Sequence, residues 1–353
     1  SPLFQGLLTL RSARSDLSSR LESATGRSGA YPDGTCTRKN NASFRTHHVY
    51  YHKAMILSRR ECLLAAGALA ARSPVIDTHM HLWSLDASRY PVNPPEPNVR
   101  PQTEDGSAER YIEEMKRDGV DLAVLVQIRQ YGWDNRYISD CVRRFPRLFV
   151  GHGLVDPHDP NNAAVLEREV RESGLAGMRL SPIYQPKEQW LNSPGNYPLW
   201  KKAEDLGVVF NVFLAPAQNA QLEDMVRRFP RVKVVVDHLG RPDIINRAPW
   251  VENDSLLRLA RYSNVWVKFT ELYTASKTKA YPYRDVHPFG RRVYEAFGPR
   301  RLLFGTGMVG STRRIPLADE LRLIREDIPF FADRDKEWIL GRNALGIWKW
   351  KGG

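Results

Sequence analysis

Cysteine is scarce in this chain. Only Cys36, Cys62 and Cys141 occur among 353 residues, an odd number set far apart, which argues against a disulfide framework and against a zinc knuckle. Long hydrophobic runs are missing too. No uninterrupted apolar stretch reaches the roughly 20 residues that a membrane-spanning helix needs. Basic runs interleaved with aromatics are absent from the body of the chain, so a nucleic-acid partner is not expected.

What is present is an ordinary globular composition, 42% hydrophobic, long enough for one large domain or two smaller ones. The net charge of +12 is unevenly spread. Residues 1–72 carry 11 Lys/Arg against 4 Asp/Glu, and residues 73–353 carry 41 against 36. Residues 1–54 are rich in Ser, Arg, Gly and Asn with little apolar periodicity, and their composition predicts disorder, as a leader or non-native extension. In residues 55–72, Ser58-Arg59-Arg60 precedes a short apolar stretch, Cys62 to Ala71, containing Ala68-Leu69-Ala70. This has the form of a twin-arginine export signal beginning at Met55, which would make the protein periplasmic. An ordinary helix at the base of a cytoplasmic domain is the alternative.

Residues 73–353 alternate short β-branched runs with longer amphipathic ones. The expected strands are Val75–His79, Leu122–Gln127, Leu148–Leu154, Ala176–Leu180, Val208–Leu214, Lys233–Asp237, Val265–Thr270 and Leu302–Gly305. Helical periodicity falls between them, for example over Glu109–Asp118, Ala164–Ser173 and Pro288–Phe297. Strand alternating with helix implies a parallel sheet. Eight such units in this length predict an α/β fold, a (β/α)8 TIM barrel. A doubly wound sheet is second choice, because no Gly-rich phosphate turn follows the first strand.

In such a barrel the chemistry sits at the C-terminal ends of the strands. His79 and His81 end the first strand. Residues two apart share a face, so both imidazoles can point one way and serve a metal such as zinc. Gln127 and Arg129 follow the second strand, Arg179 ends the fourth, and Asp237, His238 and Arg241 end the sixth. Lys268, Thr270 and Glu271 end the seventh. Trp83, Tyr131 and Trp133 follow the first two strands and offer an aromatic pocket wall or loop packing.

With these residues in view, the chain resembles the amidohydrolase-related proteins of the amidohydrolase 2 type, the branch holding sugar-lactone and pyrone-dicarboxylate lactonases. The resemblance runs from Val75 to Trp348. It rests on "VIDTHMHLW", "VLVQIRQYGWDN", "LAGMRL", "VVVDHLGRP", "NVWVKFTELY", "RRLLFGTGM" and "ILGRNALGIW". It implies a hydrolase acting on a lactone or other cyclic ester of a small oxygen-rich or acidic compound. It places His79 and His81 at the reaction centre and His238 and Arg179 on the substrate; His238 is also a catalytic candidate, and Arg129, Arg241, Trp83 and Tyr131 are further substrate-side candidates. It also admits a homo-oligomer.

Two positions depart from the family pattern. Gly307 stands where the family has an Asp after the eighth strand, and Asn211 stands where metal-dependent members have a fifth-strand His. Two imidazoles without those partners make a poor zinc site, since zinc usually takes three or four protein ligands. The expectation is therefore a centre without a metal, with a divalent ion on His79 and His81 as the alternative. His238 becomes the expected general base. Asp237 is expected to face away from His238, because strand neighbours alternate. A barrel that has lost catalysis and only binds, and a metal-dependent decarboxylase or amide hydrolase, are the competing readings.

Overall fold

The computed structural model describes residues 72–96, 99–244 and 253–351. The expected leader and export signal in residues 1–71 lie outside the described residues.

Eight parallel strands run in the order β1 to β8. They are β1 (Ile76–Met80), β2 (Leu122–Val126), β3 (Phe149–Leu154), β4 (Gly177–Leu180), β5 (Val209–Val212), β6 (Lys233–Val236), β7 (Val265–Lys268) and β8 (Leu302–Leu303). Each is followed by a helix: α1 (Ala108–Asp118), α2 (Arg136–Arg144), α3 (Asn162–Arg171), α4 (Tyr197–Leu206), α5 (Asn219–Arg228), α6 (Asp254–Arg258), α7 (His287–Phe297) and α8 (Leu317–Arg322). This is the expected (β/α)8 barrel. The chain closes it from β8 to β1 with few bonds. Thr78 donates its N–H to the Phe304 carbonyl at 3.0 Å, and the His81 N–H donates to the Gly307 carbonyl at 2.7 Å. β8 is shorter than expected, ending at Leu303, and the next residue, Phe304, bonds the Ile339 carbonyl through its N–H and Thr78 of β1 through its carbonyl.

Inward residues at the N-terminal end of the strands are apolar. Ile76, Val124, Val150, Val209, Val235 and Leu303 pack with Trp348 and Trp350 from the C-terminal segment, which fills that end. Outward residues such as Ala123 and Leu125 share the main buried cluster with Tyr111 and Met115 of α1. Gly177 lets β4 and β5 meet: a Cβ there would lie 1.8 Å from the Val209 carbonyl oxygen. α1 begins at Ser107, whose Oγ accepts from the Arg110 N–H, and ends at Gly119 in the left-handed conformation. Among the described residues no helix is long and apolar enough to cross a membrane. With the N-terminal end filled by side chains, polar chemistry is confined to the opposite mouth.

Candidate active site

The mouth is built from the strand ends upward. The β1 ladder shifts register between Asp77 and Met80. Asp77 secures that irregular end. Its carboxylate accepts from the His79 N–H at 3.0 Å, the Thr306 N–H at 3.0 Å, the Thr306 hydroxyl at 2.5 Å and the Tyr111 hydroxyl at 2.8 Å. Burial pushes its pKa up against the pull of these bonds. Asp77 thus ties β1 to α1 and to the segment after β8, and its lone pairs are occupied.

His79 and His81 leave β1 side by side. Lys268 Nζ lies 2.9 Å from His79 Nδ1, His79 Nε2 lies 3.1 Å from His81 Nε2, and His81 Nδ1 lies 2.7 Å from the Val126 carbonyl. One set of tautomers satisfies all three contacts. Lys268 donates to His79, His79 donates to His81, and His81 donates to Val126. Burial holds all three site imidazoles neutral: His79 and His238 lie well below the usual histidine range, and His81 is pushed down to about 3.

Asp237 sits at the centre. Its Oδ2 accepts from Arg179 Nε at 2.9 Å, and its Oδ1 lies 3.0 Å from Lys268 Nζ and 3.3 Å from His79 Nδ1. Burial pushes its pKa up, but the cations Lys268 and Arg179 outweigh that and hold the carboxyl well below its usual range. Lys268, fully buried, is lowered to about 8, mainly by burial. Asp237 does not face away as strand alternation predicted. The ladder of β6 ends at Val236; Asp237 continues in extended backbone, its N–H on the Val212 carbonyl at 2.9 Å and its parity that of inward Val235, and the path changes only from His238 to Arg241.

That path is unusual. His238, Leu239, Gly240 and Arg241 all have positive φ, between 50° and 68°. A left-handed conformation costs about 1–2 kcal/mol for each non-glycine residue, so the surrounding packing must impose it. The turn aims His238 at the mouth. Its ring centroid lies 4.4 Å from that of His79 and 5.5 Å from Phe213, its Nδ1 is 2.8 Å from Thr270 Oγ1, and its Nε2 is 3.5 Å from Glu271 Oε1. Glu271 is itself left-handed, at φ 53°, and its Oε2 accepts from Arg241 at 3.1 Å. Arg179 and Arg241 both lie over the Phe213 ring, at 4.4 and 5.3 Å.

The other candidates are placed as follows. Arg129 pairs with Glu96 of the loop after β1 and lies between Trp133 and Tyr184, 5.0 and 4.9 Å from their rings. Trp83 is fully buried and donates its Nε1–H to the Glu104 carbonyl at 2.7 Å. The Tyr131 hydroxyl accepts from the Ser84 N–H at 2.8 Å and donates to the Ser84 carbonyl. The polar atoms of Trp83 and Tyr131 are therefore spent on loop backbone, the loop-packing alternative of the two that the sequence offered. Asn211, paired with Arg179 in the β4–β5 register, is buried, and neither amide atom has a partner among the described residues. Residue typing undervalued Asp237 and Lys268. A charged pair on adjacent inward strand ends was the available signal.

The profile of the amidohydrolase family matches residues 76–350, most of the chain. The chain belongs to the amidohydrolase family. Within it, the L-fucono-1,5-lactonase of Burkholderia ambifaria is 28% identical over 236 residues, 65% of this chain and 79% of that protein. The 4-sulfomuconolactone hydrolase of Rhizobium radiobacter is 28% identical over 269 residues, 74% of this chain and 85% of that one. Among solved structures, an amidohydrolase from Burkholderia multivorans with bound zinc superposes with a TM-score of 0.62 at 18% identity, covering 78% of this chain and 98% of that one.

In this amidohydrolase-family site a divalent ion is plausible, and the expectation of a metal-free centre is not supported. His79, Asp237 and His238 each present one ligand atom, all within 4.8 Å of one another. Asp237 Oδ1 is buried without a hydrogen-bond partner among the described residues, its approach to Lys268 being an ion pair only. His238 is less free, since its two nitrogens already face Thr270 and Glu271.

Proposed function

We propose that this chain hydrolyses a lactone of a small oxygen-rich or acidic compound. The observation that carries the reading is the convergence of His79, His81, His238, Asp237, Lys268 and Arg179 at the barrel mouth, in a family whose relatives named above open lactone rings.

Ring opening needs an anchored substrate, a polarised carbonyl and an activated water. Arg179 and Arg241 can pair with a substrate carboxylate or hydroxyls, and Phe213 between them offers a flat apolar surface. His81 is set by Val126 to keep its Nδ1 proton, which orients its Nε2 into the mouth. His238 stands beside the same space and can hydrogen-bond the oxygen on which charge develops. Asp237 and Lys268 lie beneath and hold His79 in place. His79, Asp237 and His238 would hold a divalent ion such as the zinc of the Burkholderia multivorans protein, which would supply Lewis-acid polarisation of a carbonyl.

The test is a panel of neutral and acidic lactones, followed by proton release on ring opening. Turnover of a panel member that His81→Ala reduces at least about 100-fold supports the reading. Tight lactone binding without turnover would replace it with the binding-protein alternative.

A further inference from the structure

We propose that Glu271 is the catalytic carboxylate that binds the hydrolytic water and takes its proton, in the space that the side-chain-free Gly307 leaves open. This rests on the lactone-hydrolase reading above.

Among the described residues three carboxylates stand at the histidine cluster, and two are held by their neighbours. Asp77 accepts four hydrogen bonds beneath β1. Asp237 is fully buried, bonded to Arg179 and ion-paired with Lys268, and two cations beside a carboxylate make it a poor proton acceptor. Glu271 differs in each respect. Its side chain keeps 16% of its surface exposed, so water reaches it. Arg241 holds only Oε2, which leaves Oε1 pointing past His238 Nε2 at 3.5 Å. That separation is long for a direct hydrogen bond and leaves both groups able to hold a third partner.

Gly307 explains the room. A Cβ built there would stand 3.3 Å from Glu271 Oε1, so the carboxylate would have to give by a few tenths of an ångström, and the backbone at φ 148° itself favours glycine. The left-handed backbone of Glu271 then has a purpose: it turns the side chain from the end of β7 toward the β8 side of the mouth.

The step balances without a further reactant. The water oxygen bonds to the lactone carbonyl carbon, and its proton passes to Glu271 Oε1. The ring C–O bond breaks with its electron pair leaving on the ring oxygen, which recovers that proton. The product is a hydroxy acid, and Glu271 ends as the carboxylate it began as.

Three full-length proteins test this on the lactone panel: wild type, Glu271→Gln, and Glu271→Gln combined with Gly307→Asp. With wild type active, kcat of Glu271→Gln falls at least about 100-fold while KM moves less than about threefold. Adding Gly307→Asp restores at least about tenfold, which a merely structural Glu271 would not allow. If Glu271→Gln folds and keeps more than about a tenth of wild-type kcat, the role of Glu271 is overturned and the lactonase reading stands. If wild type opens no lactone, both are overturned together. Circular dichroism of each variant separates loss of fold from loss of chemistry. A Glu271→Gln protein that is folded and inactive but is not rescued by Gly307→Asp overturns the shared-space part of the proposal.

Discussion

Lys268 Nζ and Asp237 Oδ1 stand 3.0 Å apart with both side chains fully buried, and Arg179 adds a second cation on the other oxygen of the same carboxylate. Two positive groups share one negative partner inside a barrel. Such a cluster holds together only while the carboxylate is present, because desolvating an unpaired charge costs far more than the pair returns.

Asp237→Ala therefore leaves two buried cations unpaired. Stability should drop by about 3–5 kcal/mol, read as a lower urea midpoint at neutral pH. The double variant Asp237→Ala with Lys268→Met should recover part of that loss. An unchanged midpoint in the single variant would show that the two cations do not depend on Asp237.

Zinc or manganese should raise the thermal midpoint of the wild-type chain in proportion to the logarithm of its concentration above the dissociation constant. His79→Ala and His238→Ala should abolish that rise. Differential scanning fluorimetry with and without a chelator makes the comparison, and an equal rise in the variants would place the ion elsewhere.

Arg241 reaches the mouth over Phe213 with its side chain 31% exposed. Arg241→Met should raise KM for a carboxylated lactone by roughly ten- to a hundredfold, the loss of one charge-assisted hydrogen bond. KM for a neutral lactone should change little. Steady-state kinetics on the matched pair decides it.

Glu320 on α8 is buried, and burial raises its pKa from 4.5 to about 8, with Arg313 offsetting part of the effect. The folded chain holds this proton more tightly than the unfolded chain does. The contribution is fully favourable below pH 4.5 and is lost as pH rises toward 8. Glu320→Gln should remove this decline, leaving the variant more stable than wild type at pH 9 by a few kcal/mol and closer to it at pH 5. Urea titrations at the two pH values measure the crossover.

The strands were legible because an inward and outward apolar face on a parallel strand writes a β-branched run into the chain, and all eight runs became strands. Their ends were less legible. Asp237 reads as the alternate of His238 by the two-residue period; it stays on the inward face of Val235, and a left-handed turn after it brings His238 to the mouth as well. Trp83 and Tyr131 follow strand ends and read as pocket walls. Their hydrogen bonds to Glu104 and Ser84 depend on how a long loop folds back, which no local pattern records.

The sequence by itself determined the barrel, the family and the menu of polar residues at the strand ends, because period and residue type are local properties. Only the tertiary structure decided which of them meet. Lys268 and His79 are 189 residues apart in the chain and 2.9 Å apart in space. Gly307 reads as a loss in the sequence, and in the fold it is the opening beside Glu271. Closing eight strands into a ring converts separations of that length into contacts, and the strength of a buried charge depends on those contacts rather than on its neighbours in sequence.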